Sequence, residues 1–136
     1  MIIFGGYTEN GYDNTIHILN FIDMVFEKPN VSGNIPSKRE NYGMVYLNNR
    51  VWIFGGFQEG GVLNDLYSID TFTWTWTIVE TSGPKPPESQ GMSMSRVGKK
   101  IYVTGGCDVR KKKCFSEIYV LDTDSLWWTK IENKYV

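Results

Sequence analysis

Three glycine pairs recur along the chain at a period of fifty residues: Gly5-Gly6, Gly55-Gly56 and Gly105-Gly106. Each pair follows a short run rich in aliphatic and aromatic residues, at positions 2–4, 51–54 and 101–104. Runs of this composition predict β-strands, and glycine commonly marks the point where a strand is interrupted. A unit that recurs at such a period is the signature of a repeat architecture. The sequence therefore predicts three copies of one supersecondary unit.

Alignment on the glycines brings further positions into register. A first ring stands eleven residues after the second glycine, or thirteen in the third unit because of a two-residue insertion: His17, Tyr67 and Tyr119. A second ring follows nine residues later: Phe26, Trp76 and Trp128. A short polar residue suited to a turn follows the first ring by three: Asn20, Asp70 and Asp122. The motif Gly33-x-x-Pro36 also recurs fifty residues later, as Gly83-x-x-Pro86.

This pattern resembles the kelch repeat, whose marks are a glycine doublet, a later tyrosine and a tryptophan about nine residues beyond it. The second and third units carry all three marks, whereas the first has His17 and Phe26 in the tyrosine and tryptophan places. The resemblance covers nearly the whole chain. It implies that each unit forms a four-stranded antiparallel blade and that the blades stack radially into a β-propeller.

The expected fold class is therefore all-β, a kelch-type β-propeller segment of about three four-stranded antiparallel blades over residues 1–136. The repeat units are expected at about 1–41, 42–91 and 92–136, with strands A to D in each blade. Strand B is expected to end at each glycine pair, and because the first unit begins there, its blade should lack the innermost strand. Propellers usually have about 4–8 blades in a closed ring. We therefore expect the ring to be completed by further repeats or by self-association.

The glycine pairs and rings are interpreted as structural. Glycine would let the chain leave the sheet at the end of strand B while Tyr67 and Trp76 pack over it. The alternative of a phosphate cradle lacks a GxxxxGK[ST] pattern, and the alternative of a stacking platform does not explain fixed repeat positions. His17, the single histidine, is interpreted as a ring substitute rather than a catalytic base. The structural set is Gly5, Gly6, His17, Phe26, Gly55, Gly56, Tyr67, Trp76, Gly105, Gly106, Tyr119 and Trp128.

Composition excludes several partners. The net charge is -1 and the pI about 5.8, which argues against nucleic acid as a partner. No apolar run approaches the ~20 residues of a membrane span, and no targeting signal is recognisable, so a cytoplasmic chain is expected. Cys107 and Cys114 are expected to be free thiols in such a reducing compartment, with a disulfide as the alternative if their flanking strands pair.

Binding is expected on the long B–C and D–A loops, which emerge on one face of the propeller. The B–C loops are expected at residues 7–14, 57–65 and 107–116, and the D–A loops at 28–41 and 80–90. Seven basic residues on these loops form a candidate site for an acidic peptide segment of a protein partner: Lys38, Arg39, Lys85, Arg110, Lys111, Lys112 and Lys113. The alternative is a solvated charged surface, diluted by glutamates on the same face.

The function implied by the resemblance is a protein–protein interaction module or scaffold that presents loops to a partner. The alternative is part of a kelch-like enzyme, of the sugar oxidase or sugar-acid isomerase type, completed by missing segments. A copper oxidase of that kind needs several histidine ligands, and the chain has one histidine. No cofactor, metal site or catalytic residue is predicted.

Overall fold

A computed structural model describes residues 1–132, so that residues 133–136 of the predicted third unit lie outside the described residues. Within residues 1–132 the secondary structure consists of strands and turns, without a helix. The strands are β1 (Ile2–Thr8), β2 (Gly11–Leu19), β3 (Phe26–Glu27), β4 (Ser32–Gly33), β5 (Gly43–Leu47), β6 (Arg50–Gln58), β7 (Gly61–Asp70), β8 (Thr75–Ile78), β9 (Gln90–Val97), β10 (Lys100–Asp108), β11 (Lys113–Cys114), β12 (Ile118–Asp122) and β13 (Trp127–Ile131). The all-β prediction is confirmed.

The strands form three sheets, which we call blades 1, 2 and 3. Blade 1 has the order β1-β2-β3, blade 2 the order β5-β6-β7-β8, and blade 3 the order β9-β10-β12-β13, with every neighbouring pair antiparallel. Blades 2 and 3 thus contain the four predicted strands, and blade 1 contains B, C and D. Blades 2 and 3 each carry one additional short strand: β4 pairs in parallel with β8 of blade 2, and β11 pairs with β10 of blade 3. No stretch of residues 1–132 forms a long apolar helix that could cross a membrane.

Two connectors join the blades: the first connector, residues 28–42, and the second connector, residues 79–89. Each follows the outermost strand of the next blade before it turns inward. The amide of Ser32 donates to the carbonyl of Trp74 at 3.1 Å, and the amide of Ser82 donates to the carbonyl of Leu126 at 3.0 Å. The repeated Gly33 and Gly83 lie here with positive φ, against the carbonyl oxygens of Trp76 and Trp128.

Strands B and C of blades 1 and 2 are longer than predicted, which corrects the prediction of long B–C loops in these two blades. β1 and β6 run through their glycine pairs, and the expected loops at 7–14 and 57–65 shrink to two-residue turns at 9–10 and 59–60. Gly55 and Gly56 have φ of 62° and 100°, and the pairing register shifts between Phe54 and Gly56. Such a bulge bends a strand without ending it, because glycine tolerates this backbone conformation. The ladder therefore continues past the doublet.

Tyr67 and Trp76, which were predicted to pack over the glycines, are not the closest neighbours of Gly55 and Gly56. A Cβ on Gly56 would lie 2.6 Å from the carbonyl oxygen of Glu40, and one on Gly55 would lie 2.9 Å from the methyl carbon of Met92. The close neighbours are thus the carbonyl of Leu63 on the paired strand β7 and groups of the two connectors and of β9. Glycine is required here because a connector crosses the hairpin at this point.

The core lies in two seams between blades. Side chains alternate across a strand, so β6 sends Val51 and Ile53 toward blade 1 and Trp52 and Phe54 toward blade 3. The first seam consists of Phe4, Ile16, Val51, Ile53, Ile69 and Trp76. The second consists of Leu47, Trp52, Phe54, Leu66, Met92, Ile101, Val103, Tyr119, Leu121 and Trp128. Blade 2 is therefore covered on both faces.

Candidate functional site

The hairpin tips and connectors lie together because backbone hydrogen bonds join them. The amide of Arg39 donates to the carbonyl of Asp13 at 3.0 Å, and the carbonyl of Arg39 accepts from Gly6 at 2.9 Å. Glu40 and Phe57 exchange both backbone hydrogen bonds, at 2.9 and 2.8 Å. The first connector is thereby fixed between the hairpins of blades 1 and 2. The surface formed by the hairpin tips at 9–10, 59–60 and 109–112 and by the connector residues 36–40 and 85–89 beside them is called the tip face.

The second connector repeats this arrangement. The amide of Ser89 donates to the carbonyl of Leu63 at 3.1 Å, and its carbonyl accepts from Gly56 at 3.0 Å. Two asparagines add a side-chain bond at each connector, since Asn14 donates to the carbonyl of Pro36 at 2.8 Å and Asn64 to that of Pro86 at 3.2 Å. Sequence reasoning missed both asparagines, although their spacing of fifty residues was a signal that could have found them.

Arg39 does not belong to an exposed binding patch, which corrects its sequence assignment. Its side chain is fully buried and makes a bidentate ion pair with Asp65, with nitrogen–oxygen distances of 2.5 and 2.9 Å. It also donates to the carbonyl of Gly55 at 3.0 Å and to the hydroxyl of Ser37 at 2.9 Å. The guanidinium carbon lies 5.5 Å from the centre of the Tyr67 ring. Arg39 therefore holds the first connector to blade 2.

A cavity of about 550 Å³ opens on the tip face between the first two hairpins. Its walls come from both tips and from the first connector, and they include Tyr7, Asn10, Tyr12, Lys38, Gln58 and Glu59. The cavity therefore combines aromatic surface with a cation, an anion and amide groups. Such a mixture suits a polypeptide segment, which presents both apolar side chains and hydrogen-bonding backbone.

Two rings, Tyr7 and Tyr12, form the aromatic wall of this cavity. Tyr7 and Tyr12 pack edge to face with centroids 5.0 Å apart, and Tyr12 lies 6.1 Å from Phe57 of blade 2. Tyr7 nevertheless exposes 66% of its surface. The pKa of Tyr12 is raised, first by burial and then by the negative charges of Glu40 and Glu59. The Tyr12 hydroxyl is therefore a neutral hydrogen-bonding group at neutral pH.

The third hairpin differs from the other two because a disulfide joins Cys107 and Cys114. These cysteines are directly opposite each other on β10 and β11, with Cα atoms 4.0 Å apart. The expectation of free thiols is therefore wrong, and the alternative that required paired flanking strands is the one observed. The bridge closes what we call the basic loop, residues 108–113.

Asp108 organises the basic loop from inside. Its buried carboxylate accepts through Oδ1 from the amides of Arg110 and Lys111 at 3.1 and 3.3 Å. Its Oδ2 has no hydrogen bond of good geometry within the described residues, but it faces the Lys111 ammonium at 3.2 Å. Burial raises the pKa of Asp108, and the bonds from Lys111 and Arg110 outweigh that effect, so that the pKa is lowered. The carboxylate is thus charged at neutral pH.

The remaining predicted basic residues are distributed over the tip face rather than gathered in one patch. Arg110 donates to the carbonyl of Gly60 on the second hairpin at 2.5 Å and covers Gly61. Lys111 lies 4.0 Å from Glu88 of the second connector, and Lys113 lies 5.5 Å from the Phe115 ring. Of the seven predicted basic residues, Lys38, Lys85 and Lys112 are exposed and have no such contact within residues 1–132.

The comparison with known families settles what kind of repeat this is. The chain matches the family described as the KLHDC2/KLHL20/DRC7 Kelch-repeats domain over residues 1–135. The chain belongs to the kelch-repeat family. The predicted kelch-type propeller segment is thereby confirmed. No curated protein matches the chain significantly.

The kelch ring positions of the second and third units lie at the blade seams, whereas those of the first unit do not. Trp76 and Trp128 are 1% and 0% exposed, and each packs against the preceding blade, near Phe4 and Phe54 respectively. Phe26, at the same position in blade 1, is 60% exposed. His17 is half-buried on β2 opposite Ile3. Within residues 1–132 no three His, Cys, Asp or Glu side chains meet in an arrangement that could hold a metal ion.

Proposed function

We propose that this kelch domain is a protein-interaction module whose binding site is the cavity on the tip face. The observation that carries the proposal is the aromatic and charged lining of that cavity, with Tyr7 and Tyr12 on one side and Lys38 and Glu59 at its rim. Kelch-repeat domains generally act in protein interaction rather than catalysis. An adaptor or scaffold role in the cytoplasm belongs to this proposal.

The partner that fits best is an extended segment of another protein that includes an acidic residue. Lys38 is exposed and adjoins the cavity, so it can meet a carboxylate, while Glu59 and the amide of Gln58 can accept and donate to backbone groups. The tyrosine rings offer apolar contact area at a low cost in conformational entropy. Lys112 and Lys85 lie outside this cavity and extend the attraction to acidic segments over the tip face.

A displayed library of random decapeptides, selected on the immobilised chain, tests this proposal. We expect enriched peptides to carry Asp or Glu, and their measured Kd to rise about tenfold in Lys38→Glu, because a charge contact becomes a repulsion. Tyr12→Ala should weaken binding similarly. Lys99→Glu is the matched control, since Lys99 lies on the opposite face beside Asp124 at 3.1 Å. Equal binding by all variants would remove the cavity as the site.

A further inference from the structure

The third hairpin lacks the continuous ladder that supports the other two. In blade 2, pairing continues past the glycines through Gly56 with Leu63, Phe57 with Val62 and Gln58 with Gly61. Between the two strands of the third hairpin only two pairs follow the glycines, Cys107 with Cys114 and Asp108 with Lys113, and residues 115–117 are not in a strand. The disulfide therefore stands where the ladder is weakest. It supplies a constraint that backbone bonding supplies in blade 2.

The closed conformation of the basic loop is unfavourable in its electrostatics and in its backbone, and the disulfide offsets this unfavourable free energy. Four consecutive cations, Arg110 to Lys113, lie within six residues and repel one another. Lys112 also has a positive φ of 52°, a backbone conformation that is unfavourable for a residue with a side chain. Asp108 neutralises part of this charge from inside the loop. Without the bridge, the loop would be held by non-covalent interactions alone. These are the bonds of Asp108, the two strand pairs, the 2.9 Å bond from the amide of Phe115 to the carbonyl of Gly106, and the contacts to the neighbouring blade.

The same loop spans to the neighbouring blade. Arg110 donates to the carbonyl of Gly60 at 2.5 Å, and its guanidinium covers the backbone of Gly61 at the tip of the second hairpin. Lys111 lies 4.0 Å from Glu88 on the second connector. The conformation of the basic loop is therefore coupled to the second hairpin tip. Gln58 and Glu59, directly before Gly60, line the cavity of the tip face.

We propose that Cys107 and Cys114 are a reversible thiol–disulfide site, and that their oxidation state decides whether the basic loop is held against the second hairpin. The bridge is accessible, because Cys114 is exposed and Cys107 is half-buried. In the oxidised form Arg110 contacts Gly60. In the reduced form the loop opens, repulsion between its cations moves them apart, and Arg110 leaves the second tip.

The chemistry is a thiol–disulfide exchange with a dithiol reductant. A thiolate of the reductant attacks Sγ of Cys114, the sulfur–sulfur bond breaks, and Cys107 leaves as a thiolate that takes up a proton. The second thiol of the reductant then attacks the mixed disulfide, which releases Cys114 and oxidises the reductant to its own disulfide. Two electrons and two protons pass to the protein. Oxidation reverses each step.

Hydrogen exchange read by mass spectrometry tests the site on the whole chain in two samples. One is poised in oxidised and the other in reduced dithiothreitol, with alkylation and intact mass to count the thiols. We expect amides of residues 109–115 to exchange about tenfold or more faster after reduction, because local opening becomes easier. Residues 101–104 and 118–121 should not change. Residues 51–58 of β6, which contain no cysteine, are the internal control for a general increase in exchange across the protein.

Two variants separate the covalent bond from the contact it holds. The double variant Cys107→Ser with Cys114→Ser should behave like reduced protein in both samples. Arg110→Ala should accelerate exchange only at residues 59–62 in the oxidised sample and leave the basic loop protected. The proposal is overturned if the cysteines alkylate fully in oxidised dithiothreitol, or if the two samples exchange alike at residues 109–115. Neither measurement involves a partner, so both outcomes are independent of the proposed binding function.

Discussion

The two blade seams share a backbone arrangement but use different side chains. At the first seam Arg39 is buried and pairs with Asp65, whereas its counterpart fifty residues later is Ser89, whose hydroxyl donates only to the carbonyl of Pro87 at 3.3 Å. Both residues nevertheless make the same backbone bonds to the preceding hairpin. The repeat thus specifies the path of the connector, and each seam has its own way of filling the space beside it.

A second difference concerns the tryptophans. The indole nitrogen of Trp128 donates to the hydroxyl of Thr81 at 3.0 Å. The equivalent nitrogen of Trp76 is buried and has no hydrogen-bond partner within the described residues. The position equivalent to Thr81 is occupied by Val31, which packs against the first seam without offering an acceptor. The first seam therefore has a buried ion pair where the second has a serine, and only the second seam provides a hydrogen-bond acceptor for its tryptophan nitrogen.

The largest expected effect is loss of a seam tryptophan. Trp76→Ala and Trp128→Ala should each lower the free energy of unfolding by about 3–5 kcal/mol, because each leaves a cavity in a closely packed seam. Phe26→Ala is the comparison from the same repeat position, and it should cost about 1 kcal/mol or less because that ring is largely exposed. Urea denaturation measures all three. A loss for Phe26→Ala as large as that for Trp76→Ala would contradict the assignment of these rings by burial.

Removal of the buried arginine comes next. Arg39→Met should cost about 3 kcal/mol, because Asp65 and the carbonyl of Gly55 lose their partner. Ser89→Ala at the second seam should cost about 1 kcal/mol, as expected for one hydroxyl bond. Lys38→Met is the control next to Arg39 and should change stability by less than about 0.5 kcal/mol. Equal losses in Arg39→Met and Ser89→Ala would show that the seams do not differ in this way.

The tryptophan difference predicts a reciprocal pair of smaller effects. Thr81→Val should destabilise the chain by about 1–2 kcal/mol, because it leaves the Trp128 nitrogen unsatisfied. Val31→Thr should stabilise it by about 1 kcal/mol, because it offers Trp76 the acceptor that Trp128 already has. Thermal and urea unfolding provide the measurement. If Val31→Thr destabilised the chain by as much as Thr81→Val, then packing of Val31 would outweigh the missing bond.

The smallest expected difference between the blades concerns the turns that join β7 to β8 and β12 to β13, because the same hydrogen bonds form in both. Oδ1 of Asp70 accepts from the amides of Phe72 and Thr73 at 2.8 and 3.1 Å, and Asp122 accepts from Asp124 and Ser125 at 2.9 and 3.0 Å. These bonds lower the pKa of both carboxyls in the folded chain.

A lowered pKa makes stability depend on pH in a defined direction. The contribution is present above the unfolded pKa of about 3.9 and is lost as pH falls through the folded value. Stability should therefore decrease below about pH 4. Asp70→Asn and Asp122→Asn should each flatten this decrease by a similar amount, because an amide oxygen still accepts but does not titrate. Unfolding measured between neutral and acid pH tests this, and a response of only one variant would show that the turns are not equivalent.

Part of the structure could be predicted from local sequence alone. Strand B was predicted to include the run before each glycine pair, and β1, β6 and β10 contain those runs. The strands of the B–C hairpins were predicted too short. In sequence a glycine doublet indicates the end of a strand, whereas in the structure it forms a bulge within β6. The cavity of the tip face was not predicted either. It is formed by segments more than twenty residues apart, such as Tyr12, Lys38 and Glu59.

The glycine pairs, rings and turn residues by themselves determined the repeat and its period of fifty residues, whereas the order of strands in each blade was implied by the resemblance to kelch repeats. The repeat and its period follow from side-chain periodicity and backbone preference within a few residues. Only the tertiary structure decided that Arg39 is buried, that Cys107 meets Cys114 and that Arg110 reaches the neighbouring hairpin. A basic residue on a connector looks the same in sequence whether it faces solvent or Asp65. Burial and pairing depend on which distant strand the fold places opposite it.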